Sequence, residues 1–329
     1  MPPTTKPKLL KRLLPLLIVL VIALTALSQY QNIYDIVRLR SYQPTASVVA
    51  LADTTTMTTL GRRIFYVNHP QILDKQGFNQ NCPANGGEQT IILGCYIPPQ
   101  RGIYLYNVDE PQLKGVQEVT AAHEMLHGAY DRLGSKEKAE VDGWLQDYYA
   151  TLKDDRLLKI FESYKKLEPN DLVNEMHAIF ATEIAQLPPK LEQHYKKYFV
   201  NRQAVTNLAA QYQAAFTSRQ NQIAAYDVEL TTLKSQIEAN QASLEARGNS
   251  LDAQRQQLNR TRDSADAATY NAQVTSFNSQ VNQYNALAAQ AKAQIVGYND
   301  IVQKRNALAV ETDNLSQELS SQPETQTAQ

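Results

Sequence analysis

Ala121-Ala122-His123-Glu124-Met125-Leu126-His127-Gly128 is the stretch on which the reading of this chain turns. Histidines four positions apart project from one face of a helix, so both imidazoles can reach a single metal ion at about 2.0–2.1 Å. The glutamate one position after the first histidine stands beside that ion without ligating it. From there a carboxylate can take a proton from water and hand it to a departing amine. Val116, Val119, Ala122 and Leu126 give the helix an apolar side to bury, while Ala121, Ala122 and Gly128 let another element pack closely. The bland alternative is a helix with two ordinary histidines. The whole chain has only five, and two of them flank a glutamate at ligand spacing.

A catalytic zinc site takes a third protein ligand and leaves a fourth position for water. The first candidate is Glu175, 48 residues beyond His127, in Asn174-Glu175-Met176-His177 on a later helix with its own apolar face. His177 is the rival, because residues two apart on a regular helix cannot both face one ion. Asp131, four positions after His127, reads as an acceptor for a ring N–H or as a solvated helix-end charge. Glu183 reads as an ion-pair partner or a supporting residue around the site. No pattern picks an oxyanion stabiliser; Tyr130, His194 and Tyr195 are candidates, each more often a packed or surface side chain than a catalyst. The longer HExxHxxGxxH pattern is absent, since Tyr130 and Leu133 occupy its further positions.

These two segments resemble the gluzincin type of zincin metallopeptidase, in which HExxH is followed by a glutamate ligand on a downstream helix, often within an Asn-Glu pair. The resemblance spans Arg63–Pro188 and rests on the two short motifs. It implies a sheet ahead of the HExxH helix, an edge strand that holds substrate backbone, a zinc ion, and hydrolysis of peptide bonds in a peptide or protein substrate. The spacing to Glu175 is longer than in thermolysin-like enzymes, which keeps the third ligand open.

Outward from the motif, Thr90–Ile97 and Gly102–Val108 are strand-like runs joined by Pro98-Pro99-Gln100-Arg101, an antiparallel pair. Arg63–Val67 is β-branched and aromatic and predicts a further strand, after a short helix over Ser47–Thr59. Gln76–Gln89 reads as a loop. Asp109-Glu110-Pro111 opens the motif helix, predicted to run about 22 residues to a C-terminal glycine, Gly134. Lys136–Asp154, Asp155–Leu167 and a segment capped by Asn170 or Asp171 and ending at Pro188-Pro189 complete the helices.

At the N-terminus, Lys6, Lys8, Lys11 and Arg12 precede an uncharged apolar run of 15 residues, Leu13–Leu27. The charges stay cytoplasmic, so the remainder is expected outside. At about 1.5 Å per residue the run falls short of a bilayer core of roughly 30 Å. An anchor extended through Leu9 and Leu10, a signal cleaved after Ala26-Leu27-Ser28, and a buried core helix are the three readings. Cys82 and Cys95, with twelve residues between them, are expected to form a disulfide worth about 3 kcal/mol in such an oxidising exterior, the alternative being two unpaired thiols.

From Val205 onward the composition turns to Gln, Asn, Ala and Ser, and apolar residues recur at spacings of four and three. Val205, Ala209, Tyr212, Phe216, Ile223, Tyr226, Leu230, Leu233, Ile237, Leu244, Leu251 and Leu258 hold one frame, broken only by Arg219, Asn240, Arg247 and Gln254. A second frame runs from Tyr270 to Leu319 after a polar break at Arg262–Asp266. The pattern predicts an antiparallel coiled-coil hairpin.

The expected fold is therefore α+β, a zincin-like metallopeptidase domain followed by a long antiparallel α-helical coiled-coil hairpin. Its parts are 1–30, a signal anchor or signal peptide; 31–200, the peptidase domain; 201–320, the hairpin; and 321–329, a disordered tail. A formal net charge of −1 argues against a nucleic-acid partner, and no phosphate-cradling glycine motif occurs. The expected location is the cell membrane, single-pass, with the bulk extracytoplasmic, or secreted after cleavage. The expected activity is zinc-dependent peptide hydrolysis, with His123, His127 and Glu175 on the metal and Glu124 as base. The other classes are an inactive scaffold that binds an envelope protein through the hairpin, and a metal hydrolase acting on a different bond.

Overall fold

The structure, a computed structural model, describes residues 7–82 and 93–321, with side chains from Pro15 onward. The run at 90–92 and the expected tail beyond 321 lie outside the described residues. The chain is mostly helical, with one three-stranded sheet and two long C-terminal helices. It divides into two compact units. One reaches to Gln213 and takes back the chain from Glu318; the other is Ala214–Gln317.

In the first unit, α1 (Pro7–Ser28) and α2 (Tyr30–Arg40) precede α3 (Ala46–Thr54) and α4 (Thr59–Val67). Among the described residues no single helix is long and apolar enough to cross a membrane; Pro15–Ser28 and Tyr30–Arg40 reach that length and composition only as a pair bent by 66°. Where a strand was expected at Arg63–Val67, the chain is helical. The Thr58 hydroxyl accepts a hydrogen bond from the Gly61 amide and closes the helix start. Gly61, Ile64, Phe65 and Val67 then share one buried face, and that tertiary gain outweighs the weak β preference of the run.

The sheet has the order β1 (Gln71–Leu73), β3 (Gly102–Tyr106), β2 (Gly94–Ile97). β2 and β3 are antiparallel as expected, with Cys95 opposite Tyr104, and β1 lies parallel to β3. α5 (Lys75–Asn81) occupies part of the expected loop, started by Asp74, whose carboxylate accepts from the Gly77 amide. Cys82 at the end of α5 and Cys95 on β2 stand at disulfide distance, their Cα atoms 6.1 Å apart.

The motif helix is shorter than its sequence signals. Glu110 and Pro111 start only a 3-10 turn over Pro111–Leu113, and α6 runs Val116–Asp131. Gly115 separates them at φ +101°, a conformation open to glycine, and a Cβ there would stand 2.9 Å from the Leu208 carbonyl oxygen. Gly134 does not close α6. It is the extended residue before α7 (Ser135–Tyr149).

α8 (Asp155–Leu167) matches its expected bounds, and α9 (Leu172–Glu183) follows Asp171. α9 ends before the proline pair because Ile184 is extended; α10 (Pro189–Tyr195) then begins at the prolines. The core packs α3, α4, α9 and the sheet against α6, with α7 on the outer side of α9. Gly128 lets α4 come close, its nearest neighbours being the Ile64 methyl and the Asn68 amide.

α11 (Arg202–Thr261) and α12 (Ala267–Glu318) flank the predicted break. The first turns of α11 belong to the first unit, where Arg202, Val205 and Ala209 are buried. The Arg202 guanidinium donates to the carbonyls of Ala181, Ile184 and Ala185 and pairs with Glu192, filling acceptors freed where α9 ends.

In the second unit, the four polar breaks in the first apolar frame all bond across the hairpin. Arg219 pairs with Glu311, Asn240 reaches Gln294 at 2.7 Å, Arg247 reaches Gln283 at 3.4 Å, and Gln254 reaches Gln280 at 2.7 Å. Asp227 and Arg305 add an ion pair at 3.0 Å. The rising and falling numbers of these pairs define the antiparallel register. Polar side chains that meet only in that register disfavour slippage of an otherwise apolar seam.

Candidate metal centre

α6 places His123 and His127 on one face, and α9 packs against it so that Glu175 comes between them. Ligand atoms of the three side chains all lie within 4.8 Å of one another. His123 Nε2 is 3.4 Å from Glu175 Oε2, and His127 Nε2 is 3.5 Å from Glu175 Oε1. These separations exceed the roughly 2.7–2.9 Å of a charge-assisted hydrogen bond. Each histidine faces its own carboxylate oxygen, and the three side chains converge on a space small enough for one ion to touch all of them. Glu175 Oε2 is buried without a hydrogen-bond partner, an arrangement that leaves a carboxylate lone pair for an ion. Two imidazoles and a carboxylate are donors that could hold a metal ion here.

Burial pushes the Glu175 carboxyl up, but His127, then His123, and the Tyr164 hydroxyl favour its charged form, and it stands below the usual carboxylate range. His127 Nδ1 lies 3.1 Å from Asn174 Oδ1. An amide oxygen only accepts, so in the neutral ring Nδ1 carries the hydrogen and the Nε2 lone pair faces Glu175. Asn174 and Tyr164 are the supporting residues that the sequence analysis missed. Asn174 carried a signal in its adjacency to Glu175; Tyr164, on a different helix, carried none. Replacing Asn174 with alanine is expected to weaken metal affinity by about 10–100-fold, measured by competition with a chromogenic chelator.

Glu124 is 5% exposed and sits against β2. A Cβ at Gly94 would lie 2.7 Å from Glu124 Oε1 and 2.6 Å from the Thr120 methyl. The glycine is therefore what leaves the carboxylate its place. Gly94→Ala is expected to displace that carboxylate and cut kcat/KM for any hydrolysis by about 10²-fold, with metal affinity unchanged. Weaker metal binding in that variant contradicts the assignment.

The remaining candidates lie elsewhere. His177 faces away from the cluster and meets His194, Nε2 to Nε2 at 2.9 Å, in full burial. The Tyr195 hydroxyl donates to the His177 carbonyl, and the Tyr130 hydroxyl to Asp142. Asp131 accepts from the Tyr96 hydroxyl at 2.7 Å, and Glu183 pairs with Arg156.

Burial drives His177 well below the ordinary histidine range and lowers His194 to about 4, with Lys197 acting in the same direction and Glu137 opposing. The unfolded chain takes up protons on these rings near pH 6.5 while the fold does not. Stability is therefore retained above that pH and lost as pH falls toward 4, by about 3 kcal/mol for His194. Urea unfolding in chelator at pH 7.5 and 4.5 should show the loss, and His194→Asn should remove much of it. An undiminished loss in the variant rules out His194 as its source.

Compared with protein-family models, curated proteins and solved structures, the chain matches none.

Proposed function

We propose that this chain is a zinc-dependent peptidase of the zincin type, held at a membrane by its N-terminal helix with the bulk of the chain on the far side. One observation carries the reading: ligand atoms of His123, His127 and Glu175 converge within 4.8 Å of one another, with Glu124 on the turn between the two histidines. Zinc held by these three side chains supplies a Lewis acid that lowers the pKa of water and polarises the scissile carbonyl.

The chain's own groups do the rest. Glu124 takes the proton of the attacking water on its carboxylate and returns it to the amine that leaves. Asn174 keeps the His127 ring turned toward the centre. β2 pairs with β3 along one edge, and among the described residues no strand covers the other. That edge, beside Glu124, suits an extended substrate backbone adding as a further strand.

The experiment is a digest of a broad peptide library by zinc-loaded full-length protein in 18O-labelled water, read by mass spectrometry. Cleavage with the label in the new carboxyl terminus is expected. Zinc-loaded protein that cuts nothing favours the scaffold reading instead.

A further inference from the structure

α2 is built inside out. Its polar side faces the protein: Asp35 is 3% exposed and bonds the Arg132 guanidinium at 2.8 and 3.1 Å, Gln31 bonds Gln100, and the Tyr34 hydroxyl donates to the Gln100 carbonyl. Arg38 on the same side donates to the carbonyls of Val67 and Arg101. Its outward side is apolar. Tyr30, Ile33, Ile36 and Val37 recur at spacings of three and four and are 65%, 48%, 62% and 62% exposed. A helix docked on a water-soluble surface does the reverse, because exposed aliphatic side chains lose the free energy of burial.

What covers this stripe follows from its neighbour. α1 leads into α2 across Gln29 alone, and from Leu16 to Leu27 its large apolar side chains are all exposed. The two helices meet at a bend of 66°. If α1 stands near the bilayer normal, α2 runs near the membrane plane. The apolar run of α1 is shorter than the hydrocarbon core, so a bilayer thinned around it, with the basic N-terminal flank held at the near face, draws the start of α2 down into the far leaflet's surface.

We propose that α2 is an interfacial helix whose Tyr30–Ile33–Ile36–Val37 stripe lies in the outer leaflet of the lipid bilayer while its polar side grips the folded unit. Tyrosine and aliphatic side chains at this depth, with exposed Arg40 toward the headgroup phosphates, have the chemistry of a membrane-surface helix. The grip has a consequence for the site. Arg132, the residue Asp35 holds, follows directly on α6, the helix that carries His123, Glu124 and His127. The metal centre is thereby fixed in orientation relative to the bilayer instead of swinging on a tether. This inference rests on the membrane-anchor part of the proposed function.

The test is spin-label depth measurement on the full chain in vesicles of phosphatidylcholine and phosphatidylglycerol. Single nitroxides go at Ile22, Ile33, Val37 and, as a control 78% exposed on the folded unit, Val200. Contact with oxygen is expected to exceed contact with a water-soluble nickel chelate several-fold at Ile22, Ile33 and Val37, and to fall below it at Val200. Ile22 in lipid with Ile33 and Val37 in water overturns the interfacial helix and leaves the anchor standing. Ile22 in water overturns both. Ile33 and Val37 shielded from both reagents means that protein, such as a second copy, covers the stripe, and also overturns the proposal.

Discussion

Replacing Glu124 with glutamine leaves zinc bound and lowers peptide hydrolysis by about 10²–10⁴-fold, the range a general base contributes. Glutamine keeps the shape that fits against Gly94 but cannot accept a proton. The ligand variants behave in the opposite sense. His123→Ala, His127→Ala or Glu175→Ala removes one corner of the cluster and loses metal together with activity. Metal content by mass spectrometry and hydrolysis rate, taken on the same samples, separate the two groups. Glu175→Ala that holds zinc like the parent protein places the third ligand elsewhere; the burial of His177 against His194 leaves that residue a poor substitute.

The second large effect is on folding. Arg202→Ala is expected to cost about 1–3 kcal/mol, because it leaves the carbonyls of Ala181, Ile184 and Ala185 short of a donor, while Glu192, a third exposed, is resolvated. Urea unfolding of the variant measures the loss. The same contacts decide where the chain can be cut. A protein ending at Gln213 keeps Arg202, Val205 and Ala209 and should fold and bind zinc, whereas one ending at Val200 lacks all three buried side chains and should not. Equal stability of the two truncated chains contradicts this account of α11.

The site was legible where chemistry imposes local spacing. Ligands on one helix face lie one turn apart, as His123 and His127 do, whereas Glu175 was singled out by the resemblance to gluzincins, in which an Asn-Glu pair on a later helix supplies the ligand. Tyr164 and the inward turn of His177 depend on which helices meet, and no local pattern encodes that. In the fold, the sheet hairpin, α8 and the break at Arg262–Asp266 could be read because each is set by neighbours in sequence. Arg63–Val67 could not, since its β-branched residues suit either a strand or a buried helix face, and the Thr58 cap with packing on α6 decides. Gly134 was expected to close α6 and instead opens α7, while Gly115, to which the local pattern gave no role, breaks the chain before α6. Arg219, Asn240, Arg247 and Gln254 were visible as flaws in an apolar seam. Only the antiparallel partner shows them to be pairs.

Zinc titration of the metal-stripped full chain, with hydrolysis of one library-derived peptide followed at every point, bears most directly on the central claim. The account predicts hydrolysis that rises in proportion to zinc up to one ion per chain, and a Glu124→Gln protein that takes up the same single ion without turning over. Stoichiometric zinc with no hydrolysis by the parent protein, or hydrolysis indifferent to zinc, contradicts it.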